Sequence, residues 1–165
     1  MTTNGVSMAH QYQASVKWKR GDATFTDQRY SRWHQWSFDG GITVPASSSP
    51  HSVRLPYSAA DAVDPEEALV AAIASCHMLT FLYVAAKQGF VVDDYADDAV
   101  GEMTKNERGK FWVSKVALSP RITFSGAKRP SPEQLDELHH LAHEECYIAN
   151  SVKSEVVVQG AMSLA

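Results

Sequence analysis

Two thiols and a run of imidazoles carry most of the reactive chemistry in this sequence. Cys76 stands in Ser75-Cys76-His77-Met78, and Cys146 follows His139-His140-Leu141-Ala142-His143-Glu144-Glu145. A thiolate attacks a peroxide to give a sulfenic acid, which a second thiol condenses with to form a disulfide. The chain's two cysteines therefore fit a peroxidatic thiol with a resolving partner. They fit equally well as two small buried hydrophobes, the usual state of an unpaired cysteine. The histidines open another route, because His139 and His143 share a helix face with Cys146 one turn further on, an acceptable set of zinc ligands. No complete catalytic zinc motif surrounds them, and an ordinary helix with exposed histidines gives the same pattern.

The element that must position Cys76 is the run from Asp64 to Gly89. Asp64 is a good N-cap, Pro65 suits the first helical position, and Glu67 stands three residues after the cap, as a capping box requires. Lys87 lies in the predicted last turn, and Gly89 is free to take a left-handed C-terminal conformation. Between these ends the helix is apolar on every side, which predicts burial all round in a core or a membrane. The uncharged stretch Leu69 to Ala86 is near the lower limit of a transmembrane span. Polar Ser75, Cys76, His77 and Thr80 at its centre, five alanines and an acidic flank favour a buried core helix instead.

Cys146 is placed by a second helix. Ser131-Pro132-Glu133-Gln134 has cap, first-position proline and capping-box glutamine in order, and Asn150 is the expected stop. Leu135, Leu138, Ala142 and Cys146 recur at three- and four-residue intervals, so the thiol faces inward. Strands are expected over residues 10–21, 30–38 and 42–44, with Asp39-Gly40-Gly41 as a hairpin turn, and a short extended piece over Val53 to Tyr57. Two more follow over Ala99 to Lys105 and Phe111 to Phe124, turned by Asn106-Glu107-Arg108-Gly109 and interrupted at Pro120. Glu155 to Val158 supplies a last strand. Strands, buried helix, hairpin, amphipathic helix and strand make an α+β fold.

Composition sets the outer bounds. At 165 residues, 44% apolar and 21% charged, the chain is expected to be a single domain, 1–165, large enough for a real core. A net charge of −4 gives no electrostatic reason to expect nucleic acid. The N-terminal segment has neither a basic region nor an apolar stretch, so no secretory signal is visible and a cytoplasmic location is the expectation.

Asp64-Pro65-Glu66-Glu67-Ala68-Leu69-Val70-Ala71-Ala72 running to Ser75-Cys76, with Glu145-Cys146 and Asn150-Ser151-Val152-Lys153 later, resembles the OsmC/Ohr family of thiol-dependent peroxidases. The likeness extends from about residue 30 to the end. Asp64 stands where the family has asparagine, and Tyr147 where it has proline. His77 and the aromatic segment Tyr30 to Trp36, with His34, mark a distinct branch.

The resemblance implies an intertwined homodimer with antiparallel sheets, a long central helix and a second amphipathic one. It also implies reduction of organic hydroperoxides or hydrogen peroxide, with Cys76 peroxidatic, Cys146 resolving and a lipoyl-type dithiol as reductant. No cofactor, metal, nucleic acid or membrane is expected as a partner. Glu66 matches the glutamate that holds the catalytic arginine. Arg32 matches the arginine position of one branch and Arg54 that of the other, with Arg32 favoured. Glu66 and Cys76 on one straight helix stand ~15 Å apart along its axis, so these groups are expected to meet across the dimer interface. Trp33, Trp36 and Phe81 are candidates to line a pocket for organic peroxides, although core packing accounts for most such residues. A non-enzymatic ligand-binding protein on the same fold is the remaining alternative.

Overall fold

A computed structural model of the chain describes residues 9–159 and the strand 161–164. The chain divides into two compact units, Met1–Pro65 and Glu66–Ala165. The first holds an antiparallel sheet of β1 (Ala14–Lys17), β2 (His34–Phe38) and β3 (Thr43–Ala46), in that order. The Asp39-Gly40-Gly41 turn closes β2 onto β3. Gly41 takes φ 83° and donates its N–H to Phe38 O at 3.0 Å, while Phe38 N–H reaches Ile42 O at 3.0 Å. The segment expected to be extended over Val53 to Tyr57 is a turn instead, with Tyr57 N–H bonded to Arg54 O at 3.1 Å. The first strand is also shorter than its alternating pattern, because every residue of β1 is exposed and nothing buries either face.

The second unit is built along α1 (Pro65–Lys87). Its C-terminus is a Schellman motif around Gly89 at φ 79°, in which Phe90 N–H bonds Ala85 O at 3.0 Å and Gly89 N–H bonds Ala86 O at 2.9 Å. Burial of α1 is one-sided. Ile73, His77, Phe81 and Ala85, four apart, form the buried line, whereas Leu79 and Tyr83 on the opposite side are 61% and 65% exposed. Apolar residues all round a helix specify what can be covered, and one chain covers a single face.

Two three-stranded sheets pack against this line. β4 (Val91–Asp97), β7 (Pro120–Ser125) and β9 (Ala161–Leu164) run in the order β4-β7-β9, and β5 (Val100–Lys105), β6 (Phe111–Leu118) and β8 (Glu155–Val158) in the order β5-β6-β8. Each sheet is an antiparallel pair extended by a parallel strand, β9 on β7 and β8 on β6. The interruption expected at Pro120 is a change of sheet. β6 ends at Leu118, Ser119 N–H is held by Asp97 Oδ1 at 2.7 Å, and Pro120 opens β7. Strands β4 and β9 had no sequence signal of their own. Three aspartates in Val91–Asp97 lower β propensity, and a bulge between Val92 and Asp94 breaks the alternation.

The N-terminal half of α1 packs with the β5-β6-β8 sheet through Ile73, Val116 and Leu118. At that contact a Cβ on Gly101 would meet Val70 Cγ2 at 2.5 Å, so β5 crosses α1 at a distance that excludes any side chain. The C-terminal half packs with β7 and α2 (Pro132–Glu145) through Phe81, Ala85, Ile122, Phe124, Leu138 and Ala142. Helix α2 starts on the expected capping box, with Gln134 N–H donating to Ser131 Oγ at 3.2 Å and Ser131 N–H donating to Gln134 Oε1 at 3.0 Å. It stops at Glu145, earlier than Asn150.

Candidate functional site

Cys76 sits at the middle of α1, half-buried, between Ile73 of one core cluster and Phe81 of the other along the helix. Thr80 donates its hydroxyl to the Cys76 carbonyl at 2.9 Å, an i−4 bond that keeps this polar side chain inside the helix's own ladder. Cys146 is the C-cap of α2, extended at φ −72° and ψ 111°, and fully buried. Its surroundings lock it locally. Ala149 N–H donates to Cys146 Sγ at 3.4 Å, and Asn150 Nδ2 donates to the Glu144 and Cys146 carbonyls at 2.7 and 3.1 Å. Asn150 thus satisfies carbonyls that the helix end leaves open, from outside the helix.

The two thiols, far apart in sequence, are both free and lie near enough for each to act on the other electrostatically. Burial, and next the neighbouring Cys76 side chain, push the Cys146 thiol up to about 11, so at neutral pH it keeps its proton. The inward-facing thiols expected from periodicity are therefore one pair.

The histidines do something else. His77 Nε2 lies 3.1 Å from His139 Nδ1, with the rings stacked at 5.4 Å, and Phe81 packs on His139 at 4.6 Å between ring centroids. Burial lowers both imidazoles to about 4, and the neighbouring His139 and His143 lower His77 further, while Asp136 pulls His139 the other way. Both are neutral near pH 7. The zinc set His139, His143 and Cys146 is not formed, because His139 is engaged with His77 and Cys146 with Cys76 and Ala149. Among the described residues no three metal-ligating side chains converge. Helical period placed His139 among the inward-facing Leu135, Leu138 and Ala142, but nothing in the sequence paired it with His77.

Glu66 is half-buried in the first turn of α1, and the helix runs unbroken to Cys76 and beyond. The arginines belong to the first unit. Arg32 is tied into its own loop, donating to Gln28 O at 2.6 Å and to Tyr30 O, with its guanidinium 3.9 Å over the Tyr30 ring. The loop needs such a clamp, because Gln28 holds φ at 60° without being glycine. Arg54 is exposed, its guanidinium makes no hydrogen bond or ion pair among the described residues, and it rests 5.9 Å from the Tyr57 ring. The preference for Arg32 thus meets a guanidinium that is already occupied.

The expected aromatic lining is also redistributed. Phe81 is sealed in the core, and Trp36 donates to His34 Nε2 at 2.9 Å, with His34 Nδ1 donating to Arg32 O. A groove of about 910 Å³ lies between α1 and α2, lined by Leu79, Tyr83, Lys87, Leu141, Glu145 and Tyr147 among others. Two of its lining residues neighbour the cysteines along the chain: Thr80 bonds the Cys76 carbonyl, and Tyr147 follows Cys146.

A family profile described as OsmC-like protein matches residues 58–160. An OsmC-like protein of unknown function from Vibrio cholerae O1 is 53% identical, aligns over 93% of this chain and 100% of its own, and superposes with a TM-score of 0.90. An organic hydroperoxide resistance protein from Elizabethkingia anophelis shares the fold at 15% identity, 96% and 99% coverage and a TM-score of 0.66. The organic hydroperoxide resistance protein OhrB of Bacillus subtilis does so at 17% identity, 93% and 98% coverage and a TM-score of 0.58. No curated protein matches the chain. With the thiol pair on its two helices and this extent of likeness, the chain belongs to the OsmC-like family.

Proposed function

We propose that the protein is a thiol-dependent hydroperoxide reductase, with Cys76 peroxidatic and Cys146 resolving. The observation that carries this reading is the nearness of two free thiols, one half-buried and the other sealed from water. Two relatives of the same fold are named organic hydroperoxide resistance proteins, which favours the same substrate class.

In the first step the Cys76 thiolate attacks the terminal oxygen of the hydroperoxide, the O–O bond breaks, and an alcohol (water, from hydrogen peroxide) leaves once protonated. In the second, Cys146 attacks the sulfenic sulfur, the S–O bond breaks, and the Cys146 proton departs with the hydroxyl as water. A lipoyl-type dithiol then reduces the disulfide and is itself oxidised to a cyclic disulfide. The apolar side chains of the groove, Leu79, Val84 and Leu141, offer a surface to the organic part of the substrate.

An arginine held by Glu66 favours the thiolate of Cys76 and aligns the peroxide in this reading. Arg54 is the better candidate, since its guanidinium is uncommitted where that of Arg32 is not. Homodimerisation belongs to the same reading. A second copy would cover the exposed apolar side of α1 at Leu79 and Tyr83, and would bring Glu66 or the arginine of one subunit to Cys76 of the other. Stopped-flow oxidation of wild type and Cys76→Ser by organic hydroperoxide and by hydrogen peroxide tests the assignment. Wild type should consume peroxide rapidly and Cys76→Ser should not; equal, slow consumption by both would leave a binding protein on the same fold.

A further inference from the structure

His77 is 1% exposed, adjoins Cys76, and holds His139 by a 3.1 Å hydrogen bond, yet no thiol step uses either ring. It is also a costly pair to bury. A neutral imidazole carries one donor and one acceptor nitrogen. The shared bond satisfies one nitrogen on each ring, and His77 Nδ1 and His139 Nε2 are buried without a partner. An unsatisfied buried polar group costs about 1–3 kcal/mol, so two apolar side chains of similar shape would be near neutral or stabilising here. Stability does not account for the pair.

What the pair supplies is a fixed distance. Apolar contacts are non-directional, whereas a hydrogen bond sets a separation within a few tenths of an ångström. A disulfide demands such control, since its Cα atoms must stand ~4.4–6.8 Å apart with a defined torsion. Ala149 and Asn150 fix Cys146 to its own end of α2 and do nothing to register α2 on α1. His139 lies on the face of α2 that also carries Cys146, two turns before it, and Phe81 backs its ring.

We propose that the His77–His139 hydrogen bond is the positioning element of disulfide formation, registering α2 on α1 so that the Cys146 sulfur meets Cys76. Both histidines are positioning residues. The proposal rests on the dithiol reading above, and the step is the one already balanced: the S–S bond forms, the sulfenic S–O bond breaks, and water leaves.

The test compares wild type, the double variant His77→Leu/His139→Leu, and His139→Asn, whose amide stands where Nδ1 stood. Each is equilibrated in dithiothreitol redox buffers, which report the Cys76–Cys146 disulfide constant without peroxide. Each is then oxidised once with cumene hydroperoxide, following loss of the Cys76 thiol and appearance of the disulfide separately. The double variant should unfold in urea at no lower a midpoint than wild type. Its disulfide constant should nevertheless fall at least about tenfold, about 30 mV in potential. Its disulfide phase should slow to match while Cys76 oxidation is unchanged, and His139→Asn should stay close to wild type. A folded double variant with a wild-type constant overturns the proposal, as does His139→Asn impaired as severely as the double variant. Should the double variant not fold, equal constants for His139→Asn and His139→Leu overturn it instead. Failure of the peroxidase reading alone looks different: wild type would form the disulfide in redox buffer but not with peroxide. A wild type that forms none in either removes both.

Discussion

Lowering the pH from about 7 to about 5.5 should weaken the fold through the two histidines that link α1 and α2. His77 and His139 fall from 6.5 in the open chain to about 4 in the folded state, chiefly through burial. Between those values the unfolded chain binds more protons than the folded one, so stability drops as pH drops. The loss begins near pH 6.5 and is complete below about 4. Each shift amounts to about 3 kcal/mol in full, at about 1.4 kcal/mol per pKa unit. At about pH 5.5, one unit below the open-chain value, a single histidine contributes about 1.4 kcal/mol of that loss and the pair up to about 3. The two contributions add, because at this pH the folded pair binds almost no proton and a proton on one ring further disfavours a second on its neighbour. Urea unfolding at pH 7.0, 6.0 and 5.5 measures it, with His77→Leu/His139→Leu as the control that keeps Asp136, His143 and every carboxylate in place. The wild-type midpoint should fall relative to the control over this range. Parallel midpoints for the two proteins would refute the assignment of buried, neutral imidazoles.

Gly101→Ala should destabilise by about 1–3 kcal/mol, because its Cβ meets the stiff Val70 side chain at 2.5 Å, and Val70→Ala should restore most of the loss in a double-mutant cycle. Ser131→Ala removes the acceptor for Gln134 N–H at the start of α2 and should cost about 0.5–2 kcal/mol by urea titration. Arg54→Ala should leave the unfolding midpoint unchanged and slow Cys76 oxidation. Arg32→Ala should lower the midpoint, since Arg32 holds the Gln28 and Tyr30 carbonyls. The reverse pattern would return the catalytic role to Arg32.

What could be read from the sequence was local. The ends of α1, the capping box of α2 and the turns at Gly41 and Gly109 all follow from short-range backbone chemistry. The inward direction of Cys146 followed from helical period. What escaped depends on which surfaces meet. An all-round apolar α1 does not reveal which of its faces the sheets will cover, and only the structure selects the Ile73-His77-Phe81-Ala85 line. The His77–His139 bond and the thiol pair join α1 to α2 across a long sequence separation, so no local pattern announces either. Strand β4 was hidden by its aspartates, which sit on a bulged strand that β7 nonetheless pairs. Arg32 matched a family position by spacing, while its side chain is drawn into the loop by carbonyls that spacing does not show.

The central claim is that Cys76 and Cys146 work as one redox pair. Peptide mapping by mass spectrometry, after reduced protein is treated with one equivalent of cumene hydroperoxide and alkylated, tests it most directly. The account predicts a single intramolecular Cys76–Cys146 disulfide in wild type, and a dimedone-reactive sulfenic acid on Cys76 alone in Cys146→Ser. Cys76 recovered as the alkylated free thiol in wild type would contradict it.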